Sequence, residues 1–73
     1  MNLSPQELAA MTRRLKGEPV GCLGDSLEQA AARNGLETIA LIDGVLLARA
    51  GSGAVYGLHE VLGAAYAVRL LTK

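Results

Sequence analysis

The sequence predicts an α+β domain: two N-terminal helices, one β-hairpin and one C-terminal helix, with the sheet extended by homodimerisation. Three observations lead there. Asp43-Gly44 divides two apolar, β-favouring runs within residues 37–50, and Asp-Gly in that setting suits a type I′ turn, whose two central residues both need φ > 0. Two helix-start signatures precede that hairpin. After it, residues 57–71 are apolar nearly all round when read at helical spacing.

The first helix begins at Ser4, with Pro5 in its first position and Glu7 completing a capping box. Leu3 can meet Leu8 as a hydrophobic staple, and Leu8, Met11 and Leu15 share one face. Arg13, Arg14 and Lys16 complement the negative end of the helix dipole, and Gly17 stops the helix. Residues 18–24 form a connection under which Val20, Cys22 and Leu23 tuck, Cys22 as a buried small hydrophobe.

The second helix covers residues 26–34, capped by Asp25 with Glu28 three positions on. Gly35 takes the left-handed closing position, and Leu36 folds back on Ala31. In the hairpin, a two-residue turn sets Ile42 opposite Val45, Leu41 opposite Leu46 and Ala40 opposite Leu47, followed by Ile39 with Ala48 and Thr38 with Arg49. Both faces are then apolar near the turn, and such a ribbon needs cover on both sides. Gly51-Ser52-Gly53 reads as a connector. The third helix, residues 57–71, has one apolar face of Leu58, Val61, Leu62, Ala65 and Val68 and another of Gly63, Tyr66, Ala67 and Leu70.

Length and composition bound the function. One domain spans residues 1–73, and a chain this short buries a thin core. Cys22 is the one cysteine and His59 the one histidine, so no disulfide or Cys/His metal set is expected. Oligomerisation is the remaining aid to stability. The interface expected for a homodimer comprises Leu46 and Leu47 on the second strand with Leu58, Leu62, Tyr66 and Leu70 on the third helix. Seven basic residues balance seven acidic ones, which argues against nucleic-acid or polybasic membrane binding. No long uncharged apolar window and no basic-then-apolar leader appear, so a cytoplasmic protein is expected.

Catalytic, cofactor and metal residues are assigned to none. His59-Glu60 is an adjacent acid/base pair, but neighbouring helix residues diverge by about 100°. Asp25-Ser26-Leu27 resembles the attachment site of acyl and peptidyl carrier proteins, and with Gly24 the start of the GDSL esterases. The first have an acidic surface and further helices, and the second a much longer chain; a helix cap accounts for the same letters. The glycines at 51, 53 and 57 miss dinucleotide-loop spacing at Tyr56.

Residues 38–48, followed by 62–68, read strand, Asp-Gly turn, strand, small-residue loop and Ala-rich helix. This order resembles the first half of a roadblock-type (dynein light chain) domain. The resemblance implies a homodimer with a continuous sheet, serving as a scaffold or as a regulator of small GTPases. Two helices before the hairpin and the end after residue 73 depart from that family. The expected function is a non-enzymatic, self-associating interaction module, a scaffold or regulatory adaptor. The alternative is a small DNA-binding regulator with a degenerate winged helix, which the lack of Lys or Arg at the hairpin tip disfavours.

Overall fold

The computed structural model describes residues 4–71. Its elements are α1 (Pro5–Leu15), β1 (Glu18–Pro19), α2 (Leu27–Arg33), β2 (Glu37–Ile42), β3 (Val45–Arg49), β4 (Val55–Val61) and β5 (Ala64–Leu71). The strands make one antiparallel sheet in the order β1-β5-β4-β3-β2. β2 to β5 form a meander, and β1 returns the start of the chain to β5.

Both helices form for the expected reasons, and one cap moves. Ser4 Oγ accepts the Glu7 N–H at 3.2 Å, and a Glu7 carboxylate oxygen accepts the Ser4 N–H at 2.8 Å. The staple expected between Leu3 and Leu8 involves a residue outside those described. Ser26, not Asp25, caps α2: its Oγ accepts the Gln29 N–H at 3.1 Å and Gln29 returns the bond at 2.8 Å. Serine followed by glutamine three positions on is an equally good reciprocal cap. α2 closes at Gly35 (φ 69°), with the Leu36 N–H donating to Ala31 O at 2.9 Å, as the sequence led us to expect.

The helices cover opposite faces of the sheet. Val45 and Leu47 of β3 pack with Leu8 and Ala9 of α1. Leu46 and Ala48, on the other face by strand alternation, pack with Ala30 and Ala31 of α2 and with Leu58 and Ala65. The second strand of the hairpin, β3, is thus covered on both faces by its own chain, while Ile39 and Leu41 of β2 stay exposed. α1 lies so close that a Cβ on Gly57 would sit 1.8 Å from Thr12 Oγ1, a position only glycine can occupy. Thr12 is fully buried, and its hydroxyl donates to Leu8 O at 2.9 Å.

The third helix is not there. Residues 57–71 instead supply most of β4 and β5, joined at Leu62-Gly63, so the fold is a five-stranded antiparallel sheet with two short helices rather than three helices and one hairpin. Leu62 (φ 52°) and Gly63 (φ 84°) are both left-handed, as are Asp43 (φ 51°) and Gly44 (φ 80°) at the first turn. A central strand buried on both faces shows no polar side, and neither does an internal helix. Residues 62–68, expected to lie within the third helix, are turn and strand.

The first hairpin keeps its register near the turn and shifts at its open end. Ile42–Val45, Leu41–Leu46 and Ala40–Leu47 pair as expected. Thr38 then opposes Ala48 and Glu37 opposes Arg49, one residue off the expected pairing, with Ile39 left over as a β-bulge. The bulge resets the alternation, so Glu37 falls on the α1 face beside Arg49, whose guanidinium is 3.8 Å from its carboxylate.

Candidate interaction edge

The residues expected at an interface scatter. Leu46, Leu47 and Leu58 are 0–2 % exposed inside the chain. Leu70 packs beside the α1 cluster, and Tyr66 lies under Lys16, whose Nζ is 5.2 Å from the ring centroid. Leu62 is fully exposed at the tip of the second hairpin. They do not form one patch, because the helix that was to align them is two strands with alternating faces.

Other singled-out residues also settle. His59 is buried on the α1 face of β4, and its Nε2 lies 2.7 Å from Lys16 O at the end of α1. Glu60, the next strand residue, points to the opposite face and is exposed, so the two form no acid/base pair. Cys22 is exposed rather than buried, and so is Leu23, because residues 21–26 turn outward around Asp25. The Asp25 carboxylate accepts the Cys22 N–H at 2.8 Å and the Arg33 Nε–H at 2.6 Å. Those two bonds, the backbone one first, hold its carboxyl below the ordinary aspartate value. Among the described residues, no three His, Cys, Asp or Glu side chains come together as a metal set, and no helix is long and apolar enough to cross a membrane.

Two clefts meet on the α2 face, one of about 490 Å³ and one of about 220 Å³, sharing Val20, Tyr56 and Ala67. The larger is also lined by Glu18 and Arg69, so its walls mix polar and apolar groups. Asn34, the polar residue at the helix end, spends its amide N–H on Ala30 O at 2.7 Å.

The sheet edge offers more. Among the described residues β2 pairs only with β3, and its outer side has no partner there. The closing pair of a two-residue turn, Ile42–Val45, is hydrogen-bonded, so by alternation Leu41 directs its N–H and C=O outward. Ile39, two residues earlier, has no partner on β3 at all. Leu41, opposite Leu46, lies on the α2 face, and Ile39 and Leu41 are 48 % and 59 % exposed. A free edge with apolar side chains invites strand addition, and chains avoiding it place lysine or proline there. β2 carries neither.

The signal missed in the sequence was position in the sheet. Ile39 and Leu41 have the same composition and pattern as the buried β3, and nothing local marks an edge. Compared with known proteins, the chain matches no family model, no curated protein and no solved structure.

Proposed function

We propose that this chain is a non-enzymatic protein-interaction module, a small scaffold or adaptor that takes up a partner strand along β2. The unpaired edge at Ile39 and Leu41 supports this reading most directly. Strand addition draws affinity from main-chain hydrogen bonds and specificity from alternate side chains, and this edge offers both. Behind it, β3 is buried between the two helices.

The test uses a fluorescent peptide of residues 36–43 as a strand probe. Its anisotropy is expected to rise on titration with the protein and to stay flat with the Ile39→Lys/Leu41→Lys variant. Both substituted side chains are about half exposed, so the variant is expected to keep its fold, which circular dichroism checks. Equal binding by the two proteins would place strand uptake elsewhere and refute the reading.

A further inference from the structure

We infer that His59 is the catch of a strained latch at the end of α1: it holds the 16–17 peptide in a turn that Lys16 would otherwise leave, and its release lets α1 lift from the sheet as a unit.

The strain sits at one joint. Only Lys16 and Gly17 stand between α1 and β1. Both have positive φ, 64° and 83°. Lys16 has ψ −56°, and across it the Gly17 N–H donates to Leu15 O at 2.7 Å. Those values define a γ-turn whose central residue has φ > 0, the rare and strained form. Lysine gains nothing from that conformation, and such an outlier persists only where its surroundings over-determine it.

The surroundings of Lys16 do so. Its carbonyl oxygen can only accept, so the His59 Nε2, 2.7 Å away, must carry the hydrogen and donate it. The 16–17 peptide therefore accepts from His59 at its C=O and donates to Leu15 O at its N–H, and each bond polarises the other. Tyr66, paired directly opposite His59 on β5, takes the other end of the lysine, with the ammonium 5.2 Å from its ring centroid. Gly17 lies so near β5 that an added Cβ would run into Ala67 O. The strained turn is the form observed, so in the closed state the His59 bond outweighs the strain.

Elsewhere α1 is lightly held. It buries Leu8, Ala9 and Thr12, and its other residues are half or fully exposed. The cluster on the opposite face, where Leu46, Leu58 and Ala65 pack with α2, does not include it. α1 can leave while the meander stays packed on α2, and leaving uncovers Val45 and Leu47 of β3. Few buried contacts behind a strained joint mark a unit that opens ahead of the whole fold.

Native-state hydrogen exchange reads that opening. In the unaltered chain, α1 amides are expected to exchange through an opening of lower free energy than those of β3 and β4. One shared opening for helix and strands would overturn the inference. Lys16→Gly and Lys16→Ala both remove the ammonium, and only glycine takes the turn without strain. α1 is expected to exchange at least about fivefold more slowly in the glycine variant than in the alanine variant. In a His59→Phe background α1 is expected to exchange faster, and the difference between glycine and alanine to shrink toward none, because residue 16 is then free to leave the turn. A difference that persists undiminished would show that His59 does not impose the strain and would overturn its role. If the phenylalanine variant does not fold, the ¹⁵N spectrum of the unaltered protein decides. Neutral His59 is expected to carry its hydrogen on Nε2, and a predominant Nδ1–H tautomer would remove the catch.

Discussion

The two hairpins have the same turn geometry and different letters. β2–β3 turns at Asp43-Gly44 and β4–β5 at Leu62-Gly63, and all four residues are left-handed. Aspartate tolerates that conformation because its short side chain can bond locally. Leucine gains nothing there, and Leu62 also leaves its whole side chain in water. The first turn is favoured by its own residues. The second is imposed by the strands it joins: β4 and β5 are paired along their length, with Leu58 fully buried and Ala65 and Val68 nearly so. A turn can be dictated from within or from outside, and only the first kind announces itself.

The comparison breaks most severely at Gly57. The second hairpin alone must admit α1 this closely, so Gly57→Ala is expected to destabilise by about 1–3 kcal/mol through overpacking against Thr12. For a domain of this size that is a fall in thermal midpoint of several degrees or more. Adding Thr12→Ala removes the hydroxyl and methyl that the new Cβ meets and is expected to recover part of the loss. Additivity of the two substitutions in thermal melts would show that the helix does not sit where described.

Next come the turn glycines. No neighbour stands within 4 Å of a Cβ built on Gly44 or Gly63, so valine at either position meets backbone strain alone. Each is expected to cost about 1–3 kcal/mol by urea titration. A clearly smaller loss at Gly44 would mean that Asp43 holds its turn without help from the glycine.

A smaller effect sharpens the contrast directly. Leu62→Asn places a residue suited to φ > 0 at the second tip and removes an exposed apolar side chain. Stability is expected to rise by up to about 1 kcal/mol. The matching exchange at the first tip, Asp43→Leu, is expected to lower it by a similar amount. Equal midpoints for all three proteins would show that the turn residues have no energetic part in either hairpin.

The smallest expected effect is acid dependence at the corner where α2 starts, beside Gly44 of one hairpin and Glu60 and Ala65 of the other. The Asp25 carboxyl titrates below its ordinary value because the Cys22 N–H and Arg33 stabilise its charged form. The unfolded chain then binds the proton more readily than the folded one. The contribution is present above the unfolded aspartate range and is lost as pH falls through the lower folded value. Asp25→Asn is expected to be less stable near neutrality and to show a flatter decline between about pH 5 and 2. An unchanged slope would remove Asp25 from the account.

Legibility in the sequence followed the same division. Serine caps, closing glycines and Asp-Gly act through neighbours in the chain, so α1, α2 and the first turn could be read, with the α2 cap off by one residue. Residues 57–71 could not. Alanine favours helix, Leu62 conceals a turn, and strands covered on both faces lose the polar alternation that marks a strand. The expected interface fell with that helix, since Leu46, Leu47 and Leu58 are interior. The edge at Ile39 and Leu41 depends on strand order, which no short window encodes.

The pairing of β1 with β5 sets the order in which this domain can be built. Glu18 opposes Ala67 and Pro19 opposes Tyr66, so the opening part of the chain waits for the closing part. β2 to β5 pair with sequence neighbours and can zip in succession. α1 is made first, yet β3, β4 and β5, against which it packs, come later. On the ribosome its apolar stripe therefore stays exposed until those strands emerge, and such exposed surface is prone to aggregate. Moving α1 and β1 behind β5 by circular permutation would let each element meet its partner as it emerges.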